Sequence, residues 1–480
     1  MLPVAALEQL CEMRAEAIPS SSAAVVHGGT ETAIRGLIGL YFFLLIFEGA
    51  LRKWVMPGMS SPLLVIRDPV VLLIYLLAIP GGMFPRNNFM TTMFGLAAMA
   101  MFFGFLADQF DPAVYLFGLR TNFLHLPLIF VMARVMTYAH VVRLGWWILL
   151  LSIPMTYLVV LQFQAGAGDV LNIGAGGTGM QMETSGGKLR ASGTFSFVAG
   201  VVCFYAIVAG FLLNSLMRPG TYPRWLQLIA LVSLVAAVAT SGSRAALAGV
   251  IMVAATIVLV VMANPALLGR VALTVALISV VTFVVLQFAF VEEGAEILSL
   301  RFGEAGGAGG IWPRLIDTFA GPFRGLGAAP LFGRGLGMGT NAAAAMVTSG
   351  GQAFFGEGEW SRLIEESGPV FGLLFIAWRC ALVFFLFRTS LNAARGNNLL
   401  PILLFGASAM FILNGQFGQP TILGFAALGG GLCLAAANTG TDNESLIVES
   451  DQNAPPTVPK RRGRSAYAER LHGDKSNVKV

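Results

Sequence analysis

Twelve apolar stretches, each about as long as a helix that crosses a bilayer, follow one another along the chain. They lie at 33–51, 62–80, 89–107, 117–137, 144–163, 193–216, 225–241, 244–262, 271–291, 368–387, 398–414 and 418–437. Charged residues fall mostly between them. The pattern predicts an all-α polytopic membrane protein with about twelve transmembrane helices. Only the short break Thr240-Ser241-Gly242-Ser243-Arg244 parts the seventh from the eighth. A far longer interruption, 292–367, separates the ninth from the tenth. It is dense in glycine and carries Arg301, Arg314, Arg324, Arg334 and Arg362 with Glu357, Glu359, Glu365 and Glu366.

Composition agrees. Of the 480 residues 56% are hydrophobic and 11% charged, against about 25% charged in soluble domains. The alternate short connections hold Arg86, then Arg134 and Arg143, then Arg218 and Arg224, then Arg270, then Arg388 and Arg395, with no Asp or Glu among them. Such a bias marks the cytoplasmic face. The basic tail with Lys460, Arg461, Arg462 and Arg464 falls on the same side, so both termini are expected in the cytoplasm. Residues 1–32 then form a cytoplasmic segment, 33–437 the transmembrane domain and 438–480 a disordered basic tail. The opening Met1-Leu2-Pro3 has no basic n-region, and the first span is expected to act as its own insertion signal.

The opposite, extracytoplasmic face receives Arg52-Lys53, the Asp108–Arg120 connection, the glycine-rich segment 164–192, the 240–244 break and the long loop. Positive charge there runs against the topology rule, which makes a functional use more attractive. Four polar clusters meet on this face: Gly187 to Phe195, Thr240 to Leu247, Arg314 to Gly339, and Gly356 to Gly368. Arginine suits a phosphate or pyrophosphate ligand, because its planar fork donates two parallel hydrogen bonds and stays charged. Taken singly, each cluster has a plainer reading. Arg190 reads as a juxtamembrane anchor, Arg244 as part of a capped turn, and Glu357 and Glu359 as solvated carboxylates or partners of Arg362. Glu48 and Arg52 stand four apart and read as an ion pair. Arg67-Asp68 and Arg379, inside apolar runs, read as paired within the bundle or snorkelling. His125, beside Pro127, reads as a satisfied core histidine. The four cysteines form no CxxC pair and the four histidines show no metal spacing, so neither a metal nor another cofactor is called for.

Three of these stretches together resemble the O-antigen ligase/polymerase family, bacterial membrane glycosyltransferases acting on polyprenyl-linked sugars. Arg190-Ala-Ser-Gly-Thr-Phe is similar to that family's Arg-x-x-Gly-Thr-Phe approach to a span. Thr240-Ser-Gly-Ser-Arg-Ala-Ala-Leu is similar to its Ser-x-Ser-Arg-(small)-(small)-Leu break. The run from Glu357 to Leu373, with Glu366 and Gly368, resembles its loop exit. The topology covers the chain to about residue 437, and the motifs about 40 residues. The ligase branch carries a His where Glu357 aligns, and 292–367 contains no His. The resemblance therefore points to the polymerase branch, whose Arg-x10-Gly pattern Arg314 and Gly325 fit.

The resemblance implies joining of oligosaccharide repeat units on undecaprenyl pyrophosphate into exopolysaccharide, capsule or O-antigen, at the periplasmic face of a bacterial inner membrane. It implies Arg190, Arg244 and Arg314 as pyrophosphate-binding residues, and Glu357, or Glu359 two residues on, as the catalytic base. Arg120, Arg334 and Arg362 are further candidate substrate contacts. The expected partners are the lipid-linked glycans, the bilayer, and a chain-length regulator and flippase of the same pathway; nucleic acid has no place in this reading. The alternatives are a ligase that transfers finished glycan to lipid or protein, and a membrane transporter.

Overall fold

A computed structural model describes residues 21–107, 110–177, 187–304, 306–324, 326–327, 329–340 and 358–438. Glu357, Gly325 and the tail 439–480 lie outside the described residues, as does most of the N-terminal segment. Helices carry the fold: α1 Ser21–Ala50, α2 Asp68–Ala78, α3 Asn88–Phe103, α4 Pro112–Leu119, α5 Pro127–Val135, α6 Tyr138–Gln164, α7 Val198–Met217, α8 Arg224–Thr240, α9 Arg244–Ala263, α10 Leu268–Val285, α11 Ala289–Glu304, α12 Gly307–Arg324, α13 Glu359–Arg395, α14 Leu400–Asn414 and α15 Pro420–Ala437. Ten helical stretches among the described residues are long and apolar enough to cross a membrane, and α8 and α14 are shorter apolar helices. These ten and two lie where the twelve apolar runs predict spans. The protein is a multi-pass, all-α membrane protein.

Burial sorts the helices into centre and rim. The α7 span is 89% buried and the α15 span 83%, whereas those of α9 and α10 are 22% and 17% buried and offer their apolar sides to lipid. α15 packs on α14, α5 and α7. Its run Gly429-Gly430-Gly431 sets backbone against Ser408, Ile129 and Met132, the close approach that small residues permit between membrane helices.

The 292–367 stretch differs from the expected loop. Its first half is helical. In α11 the residues Val291, Gly294, Leu298 and Arg301 are buried, a spacing of three, four and three that makes one helix face. A Cβ on Gly294 would stand 2.8 Å from the Ala239 carbonyl, so this glycine lets α11 lie against the end of α8. In α12, Trp312, Ile316, Phe319 and Phe323 share one face. Phe319 and Phe323 pack on Trp360 with ring centroids 5.1 and 5.9 Å away. The charges of this stretch keep its hydropathy below that of a span, yet each helix has an apolar stripe to bury.

α13 is broken at Gly368, whose φ of 81° lies where L-residues with a side chain are strained, and Pro369 follows. The short arm Glu359–Ser367 leads into the break and the long arm runs on from Pro369. The 330–340 segment packs into the break: Arg334 N–H donates to the Glu365 carbonyl at 2.8 Å, and Gly335 N–H to that of Glu366 at 3.1 Å.

Candidate functional site

The segment Arg190–Phe197 is held by the residues that fill its motif. Gly193, with φ of 57°, turns the chain, and its N–H donates to Gln162 Oε1 at 2.7 Å. Lys53 Nζ donates to Ser192 Oγ at 3.0 Å and to the Gly193 carbonyl at 2.6 Å. Thr194 Oγ1 donates to the Ile46 carbonyl at 2.6 Å, and Arg52 Nη1 to Ser196 Oγ at 3.1 Å. Phe195 is buried against Phe204 and Phe425. The motif's Ser, Gly, Thr and Phe thus fix the backbone, and Arg190 is the side chain they leave for other use.

At the 240–244 break, Thr240 and Ser241 hydroxyls donate to the Ala236 and Val238 carbonyls at 2.8 and 2.9 Å, and Gly242 takes φ of 60°. The hydroxyls serve the turn. Arg244 does not cap its own turn. Its Nη1 donates to the Arg301 carbonyl at 2.7 Å, and Arg301 Nη1 donates to the Gly242 carbonyl. Arg190 joins this pair: burial first, and then the charge of Arg244, push the Arg190 guanidinium below its ordinary value. The same holds for Arg301, where burial leads and the charges of Arg190 and Arg244 follow, with Glu304 acting the other way. Arg190 Nε is buried with no hydrogen-bond partner among the described residues. The three guanidiniums thus lie near enough to feel one another's charge, an arrangement that suits an anion.

An apolar cavity of about 480 Å³ adjoins the cluster. Its lining includes Val238, Ala239, Leu247, Leu298 and Phe302. Leu298 and Phe302 bracket Arg301 on α11, and Leu247 stands one turn after Arg244 on α9. The cavity continues along α7, α8 and α10 through Leu213, Leu231 and Ile278. The arginines do not line the cavity themselves; Arg244 and Arg301 stand on α9 and α11, which also contribute to its walls.

A second polar assembly is threaded through the bundle. Glu48 accepts from Arg67 Nε at 3.1 Å and lies 3.5 Å from Arg52 Nη1, so the expected Glu48–Arg52 pair forms and Arg67 joins it. Tyr41 Oη lies 3.0 Å from His125 Nδ1, and His125 Nε2 lies 3.0 Å from Asp68 Oδ1. His125 is hydrogen-bonded at both nitrogens, in accord with the reading of a satisfied histidine. Arg120 grips the same carboxylate, with Nη2 2.9 Å from Oδ1. Two residues on, Asn122 Oδ1 accepts from Arg362 Nη2 at 3.3 Å. Arg362 then binds Glu359 through Nε and Nη2, both at 2.9 Å, and Glu366 through Nη1 at 2.6 Å. Arg379 Nη1 donates to Glu359 Oε1 at 2.7 Å. Arg67 and Arg379 are thus paired within the bundle. Two π-helical turns, Leu51–Val55 and Arg120–Leu124, coincide with this string, a local widening often found where polar groups must be aimed.

The structure brings together two of the three expected pyrophosphate residues, Arg190 and Arg244, and puts Arg301 in the third place. Arg314 is exposed on α12, on the face opposite Trp312 and Ile316. Arg301 escaped the sequence reading because its stretch read as loop; its signal was the buried stripe Val291, Gly294, Leu298. Of the two expected bases, Glu357 lies outside the described residues. Glu359 is 1% exposed, and its oxygens accept from Arg362, Arg379 and the Phe417 N–H. Burial and two guanidinium partners make it an ion-pair member. Arg362 sits in the same network, Arg120 is paired with Asp68, and Arg334 is exposed. No family model matches the chain, and neither a curated protein nor a solved structure is found similar to it.

Proposed function

We propose that the protein is a polysaccharide polymerase of the O-antigen ligase/polymerase type, joining oligosaccharide repeat units carried on undecaprenyl pyrophosphate. The observation that carries this reading is the cluster of Arg190, Arg244 and Arg301 together with an apolar cavity lined by neighbouring residues of α9 and α11. An anion with a long hydrocarbon chain suits both parts. Pyrophosphate offers oxygens to guanidinium forks, and a prenyl chain suits walls of Leu, Val and Phe.

In this reading the acceptor sugar's hydroxyl oxygen attacks the anomeric carbon of the donor. The bond from that carbon to the pyrophosphate oxygen breaks, and its electron pair leaves with the pyrophosphate. The three guanidiniums stabilise the charge that develops there. Glu357 takes the hydroxyl proton as general base. Confinement of both lipid-linked reactants to one leaflet supplies much of the remaining rate. In this reading the cluster faces the periplasm of a bacterial inner membrane and both termini face the cytoplasm, an orientation the positive-inside bias of the short connections supports. A flippase that delivers the units and a regulator of chain length are the partners such a reaction needs.

The test is substitution in a strain that depends on this protein for polymer. Arg190→Ala, Arg244→Ala and Arg301→Ala should each sharply reduce long chains and let single lipid-linked units accumulate. Unchanged chain length and yield at normal protein levels would sink the assignment. A transporter is the second reading, favoured by the charged string inside the bundle. Most charges of that string are engaged with one another, as in structural ion pairs. Uptake of labelled glycan into proteoliposomes decides between the two.

A further inference from the structure

Lys53 is the buried side chain of the π turn Leu51–Val55, with 2% of its surface exposed. Taking an ammonium out of water is costly unless a counter-charge meets it. Among the described residues no carboxylate pairs with Lys53, and Glu48, five residues before it, is engaged by Arg52 and Arg67. Lys53 Nζ donates instead to Ser192 Oγ at 3.0 Å and to the Gly193 carbonyl at 2.6 Å, and it sits 4.4 Å from the Trp54 ring centre. Both acceptors belong to the segment that carries Arg190. The Gly193 carbonyl also accepts from Gln162 Nε2 at 3.2 Å, and Gln162 Oε1 takes the Gly193 N–H. A neutral amide thus meets the ordinary needs of this turn, and the charge of Lys53 comes on top of it.

That extra hold answers a specific load. The charge of Arg244 acts on Arg190, and Arg301 feels both. Like charges repel, so a segment that presents Arg190 to the other two must be tied down. The tie comes from the end of the helical run that α1 begins. A Cβ on Gly49 would strike the Ser196 backbone, so this run lies directly against the segment. Hydrogen bonds from a charged donor are about twice as strong as neutral ones. We propose that Lys53 is a positioning residue of the anion site: it anchors Ser192 and Gly193 and so keeps Arg190 beside Arg244 and Arg301. Enclosed as it is, Lys53 acts through Arg190 and not on the ligand. Its effect on turnover rests on the proposed function; its hold on Arg190 does not.

The probe is phenylglyoxal, which adds to guanidinium groups, applied to the full-length protein in nanodiscs with the modified arginines mapped by mass spectrometry. Lys53→Met keeps the apolar stem and removes the ammonium. It should raise the rate at Arg190 about tenfold, the worth of one hydrogen bond to a charged group, and leave the rate at exposed Arg314 unchanged. Ser192→Ala removes one of the two acceptors and should raise the Arg190 rate in part. It reads the same anchor if the Lys53 variant does not fold. A parent rate at Arg190 in every variant that folds overturns the proposal, and so does an equal rise at Arg314. A merely structural lysine is told apart by a double-mutant cycle on chain extension. Lys53→Met should lower turnover per folded molecule about tenfold in the parent and cause no further loss in Arg190→Ala, because it acts through that side chain. The same tenfold loss in both backgrounds overturns the proposal. If Arg190→Ala leaves polymer unchanged the function fails, and phenylglyoxal still reads the anchor. If the arginine variants lose polymer while Arg190 keeps its parent reactivity without Lys53, the anchor alone fails.

Discussion

Arg244 and Arg301 each hold the other's backbone. Arg244 Nη1 donates to the Arg301 carbonyl at 2.7 Å, and Arg301 Nη1 returns a bond to the Gly242 carbonyl, two residues before Arg244. Two like charges are thereby fixed close together at the junction of α8, α9 and α11. Each guanidinium gives one nitrogen to this clasp and keeps others for a ligand. Arg301→Ala should therefore cost as much turnover as Arg244→Ala, about 10- to 100-fold from one charged hydrogen bond lost. The double variant should add little, because the two act as a unit. Turnover per folded molecule across the four proteins measures the coupling; full additivity would show two independent residues.

Glu359 should matter for stability. Arg362 and Arg379 both close on its carboxylate, at 2.9 and 2.7 Å, in a place without solvent. Glu359→Gln leaves two buried cations short of a counter-charge, and breaking such a pair costs about 3–5 kcal/mol. The thermal midpoint in detergent should fall clearly. Glu357→Gln should instead lower turnover with the midpoint unchanged. A Glu359→Gln protein with a normal midpoint and no turnover would return Glu359 to the chemistry.

The break in α13 is a third point of leverage. A Cβ at Gly368 would strike the Leu331 carbonyl, and the residue's φ of 81° is itself unfavourable for alanine. Backbone strain of that kind costs about 1–3 kcal/mol before any clash is added. Gly368→Ala should lower folded yield and loosen the 330–340 segment, read as faster hydrogen exchange at Arg334 and Gly335. Exchange rates equal to those of the parent would mean that the break is not what holds this segment.

What was legible in the sequence follows from what each element is made of. The spans were legible because lipid demands long apolar runs, and the 240–244 break because five small or polar residues interrupt one. Arg190 and Arg244 stood out since each lies at the mouth of a span. Arg301 did not, because α11 is too charged for a span and its four-residue stripe is short. Glu359 and Arg362 looked like loop residues; burial in the α13 arm against α14 and the Phe417 turn is a tertiary event that no local pattern announces. Arg120 and Asp68 are 52 residues apart, and such pairing is likewise invisible along the chain.

α12 should lie at the membrane interface. Trp312 and Ile316 are 68% and 57% exposed on its apolar face, while Arg314, Asp317 and Arg324 occupy other sides. An amphipathic helix of this kind settles with its apolar face among the acyl chains. A nitroxide at position 316 should be reached by oxygen far better than by a soluble nickel chelate, and one at position 314 the reverse. Equal access at both positions would place α12 in water.

The central claim is that the three arginines serve transfer from a pyrophosphate-linked glycan. The most direct measurement is a reconstitution of the purified protein with undecaprenyl-pyrophosphate-linked oligosaccharide of a strain that makes polymer through it. The account predicts a ladder of longer glycans and one undecaprenyl pyrophosphate released for each linkage formed, both lost in Arg190→Ala and Arg301→Ala. Intact substrate with no ladder, while the same vesicles accumulate glycan in their lumen, would contradict it.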